Sequence, residues 1–465
     1  MSEATNIALS MLMGISLVVL MLETIGERQL KSGFLDKPHI RLLAIGALLA
    51  SFFLIFFELY QNAQLPRRPF SFLSKIASLF LIANTTIALF IDNPAQRKIQ
   101  TSETYFLLLA SLALSISNVS TTSLVLKMTT SIGWLVAMTA LVIRSTEGGK
   151  KAEIGLKMSY AIIMITLLFL FAVFLLGISH HSLDLNILVI NNESNISLAF
   201  LALMLAALAG VAMTGAPPFH FGHVDCADGG PINLAFLFLT NSAIQGCALL
   251  VGVKTVLLKS GIGADDEAEL LALMLIFGFV ILYLRALDQI RIRRTAAYIA
   301  TSVGSLTAMS ILFGTSALLP KLVFLLAIYA FLSLTLFTLY GSLALMDPWK
   351  LPWMTWEDIS GFGRMRPLPT LTFLVALASI GGLPGTIGYF IKLSLIAPLH
   401  QNLWLSGAIF LSIAIGAACV MRVFVFMFSK LPQRASKEII SARPPFFLLA
   451  ASMILIILGF FPFVR

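Results

Sequence analysis

Apolar runs of about twenty residues, each closed by a short polar stretch, follow one another along almost the whole chain. A helix of about twenty apolar residues covers the roughly 30 Å hydrocarbon core of a bilayer. Such segments fall at 8–24, 41–60, 71–91, 104–118, 121–143, 159–178, 197–216, 231–253, 268–284, 296–314, 322–346, 368–398, 403–428 and 446–463. The expected fold class is an all-α polytopic membrane protein with about 14 transmembrane helices. The longest polar loops, 179–196 and 347–367, are too short for a soluble domain, so nucleotide or redox chemistry is expected to belong to partners.

Charge tests the count. Short cytoplasmic loops carry an excess of Lys and Arg, and with an outer N-terminus the loops after the odd-numbered segments hold 21 of the 31 Lys and Arg residues. The outer loops and tail hold six, and Lys75, Lys127, Lys392 and Arg422 lie inside segments. Both termini are therefore expected on the outer side. The composition, 58% hydrophobic and 11% charged, lies outside the soluble range. The net charge of +9 follows from topology, and no aromatic-basic groove points to nucleic acid. The first basic residue, Arg28, follows the first apolar run, which is expected to be retained rather than cleaved. Cys226, Cys247 and Cys419 have neither metal-ligand nor disulfide spacing and are read as free thiols.

Two segments are interrupted. Pro217 and Pro218 break the seventh, and Gly382 and Pro384, within "GGLPG", break the twelfth. Pro217 lies 113 residues after the fourth segment begins at 104, and Pro384 lies 116 after the ninth begins at 268. Five helices per unit is an odd number, so consecutive units run in opposite orientations. Inverted five-helix repeats with discontinuous seventh and twelfth helices are the expected architecture. The expected parts are an N-terminal three-helix segment (1–100), two repeats (104–253 and 268–428) and a C-terminal helix (446–465).

Four stretches, "EIGLKMSYAIIMITLLFLFAVFLLG", "PPFHFGHVDCADGGP", "RRTAAY" and "GGLPGTIGYFIK", carry a resemblance. In order and spacing the chain resembles, from about residue 100 to 430, the antiporter-like N subunit (subunit 2) of proton-translocating NADH:quinone oxidoreductase, respiratory complex I. The resemblance implies proton movement through buried ionisable groups: a glutamate on the fifth helix and lysines on the seventh, eighth and twelfth. Burial disfavours the ammonium and a nearby carboxylate favours it, so such pairs can exchange protons.

On this chain the twelfth-helix lysine falls on Lys392. The seventh- and eighth-helix lysine positions fall on Met213 and Ala243, and the glutamate position falls at or next to Lys127. Residues 104–146 contain no Asp or Glu, and 158–253 contain no Lys or Arg, so the losses hold in any alignment register.

The stretch "VAMTGAPPFHFGHVDCADGGP" (211–231) admits a metal reading through His220, His223, Asp225 and Asp228. Their spacing matches no tight motif, so it is read as a helix break followed by a loop, with His220 as a candidate proton relay. Lys392, Lys127 and His220 form the candidate proton path. Lys75 and Arg422 are expected to reach headgroups or a neighbouring subunit. The Asn-x-Ser sequons at Asn192 and Asn195 are read as chance matches.

The expected function is a membrane-arm subunit of a complex I-like assembly, structural and coupling in role, with reduced or lost proton translocation and no catalysis alone. The alternatives are an active proton or cation/proton antiporter, and an antiporter-like subunit of a membrane hydrogenase or inorganic-carbon uptake assembly. No cofactor or metal is expected in this chain. Expected partners are other membrane-arm subunits, lipid and, indirectly, a redox arm. The expected location is a bacterial inner membrane, with the mitochondrial inner membrane or another energy-transducing membrane as alternatives.

Overall fold

The computed structural model describes residues 5–15, 18, 37–62, 69–90, 102–146, 150–180, 182–188, 196–260, 265–313, 318–346, 355–356, 360–399, 403–429 and 446–460. Asn192 and Asn195 lie outside the described residues. The described chain is helical, with isolated β-bridges at Ser123–Asp184 and Arg291–Thr355. Six helices are long and apolar enough to cross a bilayer among the described residues, and six more are apolar but shorter.

The chain forms two compact units. Unit 1 contains α1 (Thr5–Ile15), α2 (Lys37–Asn62), α3 (Pro69–Phe90), α4 (Ser102–Ser120), α5 (Leu124–Ser145), α6 (Lys150–Ser179) and α7 (Ile196–Met213). Unit 2 opens with α8 (Phe221–Gly229). Helix α9 (Ile232–Ser260) gives its residues up to Ala243 to unit 2 and those from Ile244 to unit 1. Unit 2 continues with α10 (Asp265–Asp288), α11 (Ile292–Phe313), α12 (Leu318–Met346), α13 (Phe362–Met365), α14 (Pro367–Gly381), α15 (Ile387–Leu399), α16 (Leu403–Phe428) and α17 (Phe446–Phe460).

Helix α5 shows how these residues arrange themselves. Lys127, Ser131, Trp134, Met138 and Leu141 are buried on one face at helical spacing, while Leu126 and Val136 are exposed. A soluble helix does the reverse. In lipid an outward leucine costs nothing, and a lysine or serine must find partners inside the bundle. Helix α6 carries the same logic outward: Leu156, Ile163, Leu167, Leu170, Phe174 and Ile178 lie exposed along it.

Glycine permits close crossings where the functional elements meet. In unit 2 a Cβ at Gly304 of α11 would lie 2.0 Å from the Thr214 carbonyl, and one at Gly278 of α10 would lie 3.0 Å from Pro217. Gly381 of α14 faces Gly416 of α16 backbone to backbone.

Candidate functional site

Helix α14 ends at Gly381 and α15 begins at Ile387. The end is built by Gly382, whose φ of +78° suits a residue without a Cβ. Its N–H donates to the Ser379 carbonyl and the Leu383 N–H donates to Ala378, a Schellman closure. Pro384 sits exposed in the connecting turn.

Into this break reaches Lys392, from the second turn of α15, with none of its surface exposed. Its Nζ donates to the Gly381 carbonyl at 2.8 Å and lies 4.9 Å from the ring centre of Phe279 and 5.1 Å from that of Tyr283. The Tyr283 hydroxyl donates to the preceding carbonyl, Ile380, at 2.6 Å. Gly382 serves twice, since a Cβ there would come within 2.7 Å of Lys392 Cδ.

Burying an ammonium costs several kcal/mol. The negative end of a helix returns up to about 2 kcal/mol, and a desolvated cation–π contact about 2 kcal/mol. The opposing contributions are comparable, so the site can hold the lysine with or without its extra proton. Among the described residues no carboxylate pairs with Lys392.

In unit 1, Lys127 is equally buried, and its Nζ donates to the Asn118 carbonyl at 2.8 Å in the last turn of α4. Asn118 answers with its amide, which donates to the Lys127 carbonyl at 2.9 Å and to Ser131 Oγ at 2.6 Å. The turn between α4 and α5 is closed by residues 183–185: Leu124 N–H donates to Leu183, and Leu185 N–H donates to Thr122.

The stretch after α7 differs from the expected loop. Beyond Met213 come Gly215 at φ +77°, the cis-linked Pro217–Pro218 and then α8, so His223, Asp225 and Asp228 sit on a nine-residue helix. Local hydrogen bonding explains the difference, because Val224 and Gly230 N–H groups find the carbonyls of His220 and Cys226.

Unit 2 then brings α8 against the start of α11. Asp228 pairs with Arg291 at 3.2 Å and Asp225 faces Arg294 at 3.9 Å, while Arg293 donates to the Gly230 carbonyl. Three arginines at a helix N-terminus oppose its dipole. The two aspartates, and the carbonyl end of α8, offset that. His223 is 1% exposed and packs against Gly215 and, at 4.9 Å between ring centres, Phe238. His220 lies at the start of α8 with its ring 6.2 Å from that of Tyr298. No group of three or more His, Cys, Asp or Glu side chains among the described residues is placed to hold a metal ion.

Met213 and Ala243 are each 1% exposed. Two expectations need correction. Lys75 does not reach for headgroups: it is 4% exposed and pairs with Glu58 of α2 at 2.7 Å, because a carboxylate one helix away is a better partner. Arg422 also turns inward, 5.8 Å from the Trp356 ring centre and 3.4 Å from the Gln289 carbonyl. Sequence reading missed Asn118, Tyr283, Phe279 and Glu58. Glu58 alone gave a signal, as an acid inside an apolar run.

Residues 125–420 match the family described as NADH:quinone oxidoreductase/Mrp antiporter, transmembrane. NADH-quinone oxidoreductase subunit N of Alkalilimnicola ehrlichii is 27% identical over 265 residues, covering 56% of this chain and 53% of that protein. The chain spans about half the length of the curated relatives it matches. Among solved structures, a chain of respiratory complex I from Thermus thermophilus aligns over 97% of this chain and 96% of its own, with TM-score 0.74 and 21% identity. A chain of the archaeal membrane-bound sulfane sulfur reductase aligns over 98% and 94%, with TM-score 0.80 and 16% identity.

Proposed function

We propose, since the chain belongs to the NADH:quinone oxidoreductase/Mrp antiporter family of transmembrane proteins, that it is a membrane-arm subunit whose first repeat has lost proton translocation while the second keeps a working lysine. One observation carries this reading: Lys392 is fully buried on the freed Gly381 carbonyl at the α14–α15 break. The corresponding lysine position at the α7–α8 break is Met213, Ala243 follows on α9, and no carboxylate lies within 104–146.

A proton crossing an apolar bundle needs groups that take it up and give it back. Methionine and alanine do neither. Lys127 places an amine on a backbone carbonyl where a carboxylate would be required. The chain then acts as a structural and coupling element, with Lys392 passing a proton within the second repeat. The same reading takes fourteen crossings, inverted five-helix repeats at 104–253 and 268–428, and both termini on the outer side of a bacterial inner membrane. It assigns redox groups to partner subunits and none to this chain, which holds lipid and other membrane-arm subunits around it.

A second reading, service in a different respiratory or ion-transporting assembly, is favoured by the equally extensive alignment with a sulfane sulfur reductase chain. Isolation of the intact assembly through a tagged copy of this chain separates the two. Flavin- and iron–sulfur-bearing NADH:quinone oxidoreductase subunits are the expected companions. A hydrogenase, sulfur reductase or carbon-uptake partner would move the assignment to the second reading, and a chain recovered alone would contradict both.

A further inference from the structure

If Lys392 exchanges protons, they must reach it without the eighth-helix lysine, because that position is Ala243. The structure supplies another set of exchangeable groups around it. Tyr283 of α10 and Lys392 donate to consecutive carbonyls, Ile380 at 2.6 Å and Gly381 at 2.8 Å. The last carbonyls of a helix open toward its C-terminal end, so the phenol oxygen and the lysine nitrogen share one small polar site.

The same phenol hydroxyl meets the side chain of Ser302 on α11. Ser302 belongs to a polar face: 294, 298, 301, 302 and 305 repeat at helical spacing, and Thr301, Ser302 and Ser305 are each 1% exposed or less. Thr301, Ser302 and Ser305 donate to carbonyls of their own helix, at Tyr298, Ile299 and Thr301. Their oxygen lone pairs are left to accept from water or a neighbouring hydroxyl. At the N-terminal end of this face Tyr298 is hydrogen-bonded to Arg294, which faces Asp225. The His220 ring stands 6.2 Å from that of Tyr298, with Nδ1 buried.

Resting on the reading of Lys392 as the working residue, we propose that Tyr283 delivers protons to and from Lys392, and that the Ser302 face of α11 connects Tyr283 to the His220–Asp225 edge of unit 2, bypassing Ala243. In each transfer the Tyr283 hydroxyl gives its proton to the uncharged amine of Lys392 and takes one from Ser302 or a water bound to it. Ser302 is replenished from the Tyr298 side through water held by the buried hydroxyls. Every hydroxyl ends with the proton count it began with, and Lys392 alone gains a proton.

The test uses the intact assembly in vesicles and reads proton movement per substrate turnover for Ser302→Val, Ser302→Thr and Lys392→Met. Valine and threonine have nearly the same shape, so the pair isolates the hydroxyl. Ser302→Val is expected to slow proton delivery about a hundredfold, the lower end for loss of a proton-transferring group, with Ser302→Thr close to the native protein. Native behaviour of Ser302→Val beside a dead Lys392→Met overturns this route and leaves the proposed function standing. Native behaviour of both variants overturns the proposed function and this route with it.

A failure of Ser302→Val to assemble is resolved by thiol labelling in a background with Cys226, Cys247 and Cys419 replaced by serine. A small hydrophilic methanethiosulfonate is expected to modify Ser302→Cys and not Val303→Cys. Equal protection of both positions overturns the route.

Discussion

Lys392 and Lys127 solve one physical problem in the same way: each fully buried amine donates at 2.8 Å to a carbonyl in the last turn of a helix, Gly381 or Asn118. What surrounds them differs. The Asn118 that accepts from Lys127 returns its amide to the Lys127 carbonyl and to Ser131 Oγ, whereas Lys392 lies among two rings and a helix end. The left-handed backbone at Gly382, crowded by Lys392, is the most sensitive point in that site. Gly382→Ala is expected to destabilise unit 2 by about 1–3 kcal/mol through strain, read as a lowered thermal unfolding midpoint of the detergent-solubilised protein. The Asp228–Arg291 pair gives a second expectation at this scale. Asp228→Asn removes the charge opposite a guanidinium that is one-quarter exposed, so the loss is discounted to about 1–2 kcal/mol. Measuring Asp228→Asn, Arg291→Gln and the double variant by the same unfolding assay should show coupling between the two.

Helix breaks give the site its form. Pro217–Pro218 and the Gly382 turn each free carbonyls inside an apolar environment, and the chain answers with glycines that let other elements approach. Gly304→Ala tests that at the first break. Its Cβ would lie 2.0 Å from the Thr214 carbonyl, so α11 could not keep its place, and the expected outcome is loss of folded protein from the membrane, followed by detergent-resistant yield. At this scale much was legible in advance. Apolar runs of twenty residues locate helices because lipid rewards length and apolarity together, and proline and glycine mark where those helices stop. Helix α8 was hidden because "FGHVDCADG" mixes polar and apolar residues over nine positions, too few for a period to emerge. The pairing of "RIRR" with "DCAD" joins residues 63 or more positions apart, and Lys75 with Glu58 joins two helices, so no spacing rule reaches either. The lysine on α15 was found through the resemblance of "GGLPGTIGYFIK" to the family's twelfth helix, while its actual partners, a carbonyl and two aromatic rings, exist only in three dimensions.

For the molecule as a whole, the distribution of chargeable groups matters more than any single contact. Residues 158–253 hold no Lys or Arg, and 104–146 hold no Asp or Glu, whereas unit 2 gathers Asp225, Asp228, Arg291, Arg293, Arg294 and Lys392. The proposed assignment of redox groups to partner subunits predicts no stoichiometric flavin, haem or iron–sulfur absorption from this chain when purified apart from its partners, and a visible-range spectrum checks this directly. The central claim is that Lys392, rather than any group of α8, is the residue that takes up and releases the proton in this chain. Proton movement by the reconstituted assembly, compared among native protein, Lys392→Met, His223→Ala and Asp225→Ala at matched assembly levels, tests it most directly. The account predicts that Lys392→Met impairs proton movement more than either α8 substitution does. Proton movement that survives Lys392→Met but collapses with His223→Ala would contradict it.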